Sequence, residues 1–187
     1  MTTVIALWLP ILLSGVAVYI VSSIIHMATP WHKGDYLKLP DEDRVLDALR
    51  PFALPPGDYS APRAGSMQEM GTPEFVETMK RGPVFMATVM PSAPMAIGRS
   101  LAQWFVYSLV VAWFAAYTAG VAIPPGGDRL KVVQIAFTTA FAGYALGLWQ
   151  LHIWYLRSLV TTVKSTIDGA VYAALTAGLL AWLWPGP

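Results

Sequence analysis

Residues 132–184 read VVQIAFTTAFAGYALGLWQLHIWY, then a short basic segment around Arg157 to Lys164, then IDGAVYAALTAGLLAWLW. Each apolar run is long enough to cross a hydrocarbon core of about 30 Å at about 1.5 Å per residue. Two similar runs lie upstream, at 4–25 and at 101–123. The sequence therefore predicts an all-α integral membrane protein with four transmembrane helices, at about 4–26, 98–123, 131–156 and 162–184.

The composition agrees with a membrane protein. Hydrophobic residues make up 56% of the chain and charged residues 12%, whereas soluble domains usually carry about a quarter charged residues. There are no cysteines, which excludes disulfides, thiolate metal sites and a cysteine nucleophile. The net charge of +1 gives no reason to expect a nucleic-acid partner, since nucleic acids bind strongly basic surfaces.

A more polar segment, 28–96, separates the first two apolar runs and is predicted to form a small α+β-like module. The transmembrane domain then consists of 1–27 and 97–187. A segment of this size buries little apolar surface by itself. We therefore expect the module to pack on the membrane domain or on a neighbouring subunit.

Local signals predict the elements of this module. The acids in Pro40-Asp41-Glu42-Asp43 mark a helix start, since carboxylates are favoured in the first turn, and Pro51 ends that helix. Thr72-Pro73 marks a second start, with a capping residue followed by proline at the first helical position. That helix runs to about Lys80, and the apolar, β-branched run 84–89 predicts a short strand.

Three segments resemble an uncharacterised family of small bacterial four-helix membrane proteins. They are PWHKGDY (30–36), LPDEDRVLDALR (39–50) and QLHIWYLRS (150–158). The resemblance covers most of the chain. It implies the four-helix topology and a bacterial inner-membrane location, and it assigns no functional residue.

The distribution of basic residues predicts the orientation. Four spans place both termini on one side and the module, with the turn between spans 3 and 4, on the other. Cytoplasmic loops are enriched in Lys and Arg, so the module 28–96 is predicted to be cytoplasmic and both termini outside. The module side carries Lys33, Lys38, Arg99, Arg157 and Lys164, against Arg129 and Lys131 on the other side. Of these, Lys33, Arg99, Arg157 and Lys164 are also predicted to attract anionic lipid head groups.

Small residues recur at four-residue spacing along the predicted spans. Such stripes allow close approach of helix backbones in lipid, where packing drives association. They predict either packing inside one bundle or an interface between copies of the chain. The residues predicted to lie in such a helix-packing or oligomer contact are Gly143, Gly147, Ala170, Ala174 and Gly178.

His26 and His32 are the metal-ligand candidates in the sequence, because imidazole suits transition metals and Met27 and Asp35 lie nearby. The two histidines straddle Pro30, and the spacing matches no metal-binding motif. Interfacial histidines beside a tryptophan are the commoner case. The sequence therefore predicts no metal and no cofactor.

Asp168 and His152 form a possible intramembrane polar site, since ionisable groups in spans are costly and often functional. If the fourth span begins near Lys164, Asp168 lies about one turn inside it, and Ser165 resembles a capping residue. Asp168 is then expected to pair with Arg157, Lys164 or His152. The alternative is a cap with an interfacial salt bridge.

Enzymatic motifs are not found: there is no nucleotide-binding glycine loop, HExxH or GxSxG. We therefore predict a non-enzymatic membrane protein that self-associates or serves as an accessory subunit of a membrane complex. Its partners would be membrane lipids and itself or another membrane protein. The alternative is a small homo-oligomeric channel or transporter, for which the polar candidates on the third span are Gln134, Thr138, Thr139 and Gln150.

Overall fold

A computed structural model describes residues 1–94 and 96–187. The chain divides into two compact units. The helical unit is formed by Met1–Leu37 and Ala96–Pro187, and the second unit is Lys38–Met95. The mostly helical fold with a small two-stranded sheet is confirmed. Residues up to Leu37 belong to the helical unit, whereas the predicted module began at 28. Met95, which the predicted module includes, lies outside the described residues.

The first long helix combines three kinds of helical turn. A 3₁₀ turn, Val4–Leu7, begins where the Thr3 side chain accepts a hydrogen bond from the amide of Ala6. The α-helix α1, Trp8–Ser23, follows and tolerates Pro10 because the first turn has no intrahelical amide bond to lose. A π-helical turn, Ile24–Ala28, ends it before Pro30.

The predicted third span is interrupted. After α5, which covers Ile97–Ala122, helix α6 covers Arg129–Tyr144. A 3₁₀ turn, Leu146–Leu148, then leads into helix α7, Trp149–Tyr155. The expectation of one continuous helix over 131–156 is therefore wrong at Ala145, whose φ of −122° leaves the helical range. Glycines on either side of this point disfavour a helix.

The last helix, α8, covers Leu159–Trp182, and its N-cap is Ser158, whose side chain accepts from the amide of Thr161. The expected start near Lys164 with Ser165 as a capping residue is wrong. Asp168 consequently lies in the third turn of α8.

Within residues 1–94 and 96–187, three helical segments are long and apolar enough to cross a membrane: Val4–Ala28, Ile97–Ala122 and Arg129–Tyr155. α8 is also long, but Lys164 and Asp168 make its first turns more polar. α8 packs mainly against α6 and α1, and it contributes more buried residues than any other helix. These are Thr161, Thr162, Asp168, Gly169, Tyr172, Ala173, Thr176, Ala177, Leu180 and Ala181.

Both ends of the helical unit are closed by hydrogen bonds. At one end, Thr2 bonds to the carbonyls of Gly120 (2.8 Å) and Ile123 (2.9 Å). At the same end, Trp184 Nε1 donates to the carbonyl of Pro124 (3.1 Å). At the other end, Trp104 Nε1 donates to Ser22 Oγ at 2.7 Å, joining α5 to α1.

Small residues allow the helices to approach closely. A Cβ added at Gly169 would lie 2.8 Å from Ala145 Cβ, and one at Gly143 would lie 3.2 Å from Val111. These glycines therefore pack inside the chain. The other predicted packing residues do not: Gly147 and Gly178 have no atom within 4 Å of an added Cβ, Ala174 is exposed and Ala170 is half-buried.

The second unit contains the elements that local signals predict. Helices α2, Glu42–Leu49, and α4, Pro73–Arg81, fall where expected, and Thr72 caps α4. Strand β1, Gly57–Ala61, pairs antiparallel with β2, Phe85–Val89, so that Gly57 lies opposite Val89. A 3₁₀ turn, Arg50–Phe52, and a short helix, α3 (Met67–Met70), were not predicted. Among the described residues of this unit none is buried.

Candidate functional site

The segment after α1 folds back to form a polar cluster with α8. Thr29 Oγ1 donates to the carbonyl of Ile25 (2.6 Å) and accepts from the amide of Trp31 (3.3 Å). This turn brings the ring of His32 onto that of His26, with centroids 4.2 Å apart and planes 15° from parallel. We call His26, Trp31, His32, Asp35, Lys164 and Asp168 the polar cluster; all six lie in the helical unit.

His32 lies between two carboxylates. Its Nδ1 is 2.6 Å from Asp35 Oδ2, and its Nε2 is 2.8 Å from Asp168 Oδ2. An ionised carboxylate only accepts hydrogen bonds. If both carboxylates are ionised, His32 therefore carries a proton on each ring nitrogen.

Lys164 supplies further hydrogen bonds to the cluster. Its Nζ donates to Asp35 Oδ1 (3.0 Å) and to the carbonyl of Trp31 (2.7 Å), and it lies 5.6 Å from the centre of the Trp31 ring. Both carboxyl groups therefore have hydrogen-bond donors, His32 for each of them and Lys164 for Asp35. This pairing allows the four groups to be withdrawn from water together.

The carboxylates are the most buried charged groups of the cluster. The side chains of Asp168 and Asp35 are only 7% and 8% exposed, against 14% for His32. Burial raises the pKa of the Asp35 carboxyl, but the hydrogen bonds and charges of His32 and Lys164 outweigh burial and hold this pKa below its ordinary value. Asp35 is therefore ionised at neutral pH.

The ring of His26 is oriented by a backbone carbonyl in the preceding helical turn. Its Nδ1 lies 3.0 Å from the carbonyl oxygen of Ser22. A carbonyl oxygen only accepts, so Nδ1 is the protonated nitrogen and Nε2 carries the lone pair when the ring is neutral. Ligand atoms of His26, His32 and Asp168 all lie within 4.8 Å of one another. In the part of the chain that the structure describes, these three residues form the group that could hold a metal ion.

An open cleft reaches the cluster. It has a volume of about 580 Å³ and is mainly apolar, with Asp168 and Lys164 in its wall. The remaining lining comes from the segment around the end of α1: Ile25, Thr29, Pro30 and Trp31. Asp168 is thus buried yet borders a space that a small ligand can enter.

The structure separates residues that the sequence grouped. His152 Nδ1 bonds to the carbonyl of Arg157 at 2.7 Å, whereas Asp168 bonds to His32 and accepts from Trp31 Nε1 at 3.1 Å. Asp168 therefore forms none of the three pairs expected for it. Asp168 lies instead beside His26 and His32, the two residues that the sequence offered as metal-ligand candidates.

The four residues predicted to bind lipid head groups differ in how exposed their side chains are. Lys33, Arg99 and Arg157 are exposed, as lipid contact requires. Lys164 is instead bound within the polar cluster, and its side chain is 21% exposed.

The pore candidates line no common surface inside the chain. Thr138 Oγ1 bonds to the carbonyl of Gln134 in the preceding turn, and both residues are exposed. Thr139 instead lies 2.9 Å from Thr118 Oγ1 on α5. Gln150 is exposed on α7.

Sequence reasoning missed the roles of Trp31 and Asp35. A local signal existed for part of the cluster: His32 and Asp35 are three residues apart, and Lys164 and Asp168 are four apart on one helix. Opposite charges at these spacings often signal pairing within an element. His32 and Asp35 do pair with each other, and each also bonds to α8. Lys164 and Asp168 do not form the pair that their spacing suggests, because each bonds to the segment after α1 instead.

Comparison with profiles of protein families, with curated proteins and with solved structures gives no match. The family resemblance drawn from the sequence stays a prediction.

Proposed function

We propose that this chain is a four-span integral membrane protein that works by association, with further copies of itself or as an accessory subunit of a membrane complex. The second unit, Lys38–Met95, carries this proposal, since none of its described residues is buried. Its helices still present apolar side chains, among them Leu46 and Leu49 on α2 and Val76 on α4. A unit with this little burial gains most of its stability from another surface.

The position of α8 supports a fourth span. Near its start, Asp168 and Lys164 contact the segment that follows α1. Beyond its end, Trp184 bonds to Pro124, between α5 and α6. α8 therefore extends between the same two ends of the helical unit as the apolar helices, and its polar side chains are turned inward, as a membrane requires.

The orientation proposed for the four spans puts the second unit in the cytoplasm and both termini outside. The rule counts Lys and Arg rather than net charge, so the bias rests on the basic residues of the two sides: Lys33, Lys38, Arg99, Arg157 and Lys164 against Arg129 and Lys131. The bacterial inner membrane is the location that the family resemblance implies.

The outer face of α8 supports self-association within the membrane. Ala170, Ala174 and Gly178 follow one another at four-residue spacing, and they are half-buried or exposed. A Cβ at Gly178 would meet no atom within 4 Å. Small residues on an open helix face allow a second helix to pack closely in lipid.

Native mass spectrometry of protein extracted with its surrounding lipid tests the proposal. We expect a closed homo-oligomer or a stoichiometric complex with another membrane protein. The double substitution Val76→Gln and Met79→Gln on α4 should reduce that assembly at least about tenfold, since both apolar side chains are 39–40% exposed and would lie in the contact. Glu77→Gln, on the opposite side of α4, is the control and should leave assembly unchanged. A wild-type protein that is purely monomeric and without a partner would contradict the proposal.

A further inference from the structure

We propose that His26, His32 and Asp168 form a binding site for one divalent transition-metal ion of the zinc class. Two imidazoles and one carboxylate are a common donor set for such ions. The ligand atoms lie within 4.8 Å of one another, compared with roughly 3.3 Å in a tetrahedral zinc site whose bonds are about 2.0 Å long. Because the two rings are stacked with their planes 15° from parallel, the ring of His26 must tilt out of the stack before both lone pairs can meet one ion.

The groups surrounding the three ligands support a metal site more strongly than the distances do. In metal sites, each ligating histidine usually donates its other ring N–H to a carbonyl or a carboxylate, which fixes the ring and its tautomer. His26 makes this bond from Nδ1 to the carbonyl of Ser22, and His32 makes it from Nδ1 to Asp35. In both histidines this bond leaves Nε2 as the nitrogen that can bind an ion.

The third ligand is held in the same manner. Asp168 Oδ1 accepts a hydrogen bond from Trp31 Nε1, which leaves Oδ2 to bind the ion. Without metal, Oδ2 pairs with His32 Nε2. The ion replaces the proton on that nitrogen, which leaves to solvent, and it takes Asp168 Oδ2 as a ligand. The hydrogen bond from His32 to Asp35 is kept throughout.

A purely structural role for the cluster does not account for His26. His32, Asp35, Lys164 and Asp168 are joined to one another by hydrogen bonds that connect α8 to the end of α1. Among the described residues, Nε2 of His26 makes no hydrogen bond, and its ring is stacked on His32 beside Asp168. An exposed imidazole in this position adds little to the connection between helices, but it supplies the third ligand of a metal site.

The surroundings allow the ion to enter and to keep an exchangeable ligand. His26 is exposed, and Asp168 lies in the wall of the cleft. Three protein ligands leave one position of a four-coordinate ion for water or another small ligand. The charge of Lys164 is matched by Asp35 rather than by Asp168.

The test uses the full-length protein in detergent, stripped of metal with a chelator. Zn²⁺ is titrated in competition with a chromophoric chelator, and Co²⁺ is added separately for its visible absorption. We expect one ion per chain and the absorption bands of four-coordinate Co²⁺. His26→Ala should weaken zinc binding at least about tenfold, and Asp35→Ala, which loses the bond that orients His32, by about 10- to 100-fold.

The third histidine of the chain gives the matched control. His152 bonds to Arg157 outside the polar cluster, so His152→Ala should bind zinc as the wild type does. His26→Ala removes no bond between the helices and should fold normally, which keeps the test valid if Asp168→Asn does not fold. The proposal is overturned if the folded wild type binds no stoichiometric ion, or if His26→Ala binds zinc as tightly as the wild type.

Discussion

At the scale of single residues, Asp168 connects two distant parts of the helical unit. It binds His32, 136 residues away in sequence, and the indole of Trp31. A buried carboxylate is stable only when such partners satisfy it. The position of the segment after α1 thus depends on Asp168 together with Lys164, the other side chain of α8 that bonds to it.

Asp35 gives this cluster a defined dependence on pH. Its pKa is lowered by His32 and Lys164 against the effect of burial. An unfolded aspartate titrates near 3.9, so the folded pKa lies lower. The contribution of ionised Asp35 to stability is then fully present above the unfolded pKa and is lost as the pH falls through the folded one.

We therefore expect Asp35→Asn to lower the free energy of unfolding by an amount that is constant above about pH 5 and that shrinks below about pH 4. Chemical unfolding in detergent with a chelator present measures this difference against the wild type. The exposed Asp43 on α2 is the control, and Asp43→Asn should have little effect at either pH. A penalty for Asp35→Asn that is unchanged down to pH 2 would contradict this account.

At the scale of helices, α6 and α8 approach closely at one glycine. The Cβ of alanine at position 169 would lie 2.8 Å from Ala145 Cβ and 3.3 Å from Tyr144 Cβ. Both atoms are attached directly to the backbone, so the helices would have to move apart. The close packing of α8 on α6 therefore requires glycine here.

Gly169→Ala should lower the free energy of unfolding in detergent by about 1–3 kcal/mol, as expected for an overpacked core. Gly178→Ala on the same helix is the matched variant, because an added Cβ there meets nothing within 4 Å. It should be neutral or should stabilise by up to about 1 kcal/mol through helix propensity. Equal effects of the two substitutions would show that helix propensity, rather than packing, decides both.

Local signals predicted some of these elements well and others poorly. Thr72 and the acids after Pro40 marked α4 and α2 correctly, because capping and first-turn charges act within a few residues. Ser165 was wrong as the start of α8, since Ser158 provides an equivalent cap earlier. The third span is interrupted at Ala145, between Gly143 and Gly147, and hydropathy does not record the low helix propensity of glycine.

At the scale of the whole molecule, the proposed four spans place both termini on one side of the membrane. The chain has no cysteine, so single cysteines introduced at Thr3, Gln68 and Gly186 report on topology one at a time. A membrane-impermeant maleimide applied to intact cells should label Thr3→Cys and Gly186→Cys and should leave Gln68→Cys unlabelled until the membrane is opened. Labelling of only one terminus would mean that α8 does not cross.

The sequence predicted only part of the polar cluster, because its members come both from one short segment and from a distant helix. His26 and His32 were recognisable as candidates, because six residues separate them along the chain. Their convergence with Asp168 depends on how α1 packs against α8, which no local pattern encodes. The low hydropathy of the first turns of α8 was the remaining clue, since charged groups in a membrane helix need partners.

The π-helical turn Ile24–Ala28 also affects how insertions and deletions would change this site during evolution. Such turns arise when one residue is inserted into an α-helix. Deletion of one residue from this turn would restore the regular helix and change the direction in which His26 leaves the axis, since a π turn holds more residues than the 3.6 of an α turn. The pairing of His26 with His32 would then be lost although every residue of the cluster remained. Lineages of this protein can therefore gain or lose the juxtaposition through a single-codon insertion or deletion, without substituting either histidine.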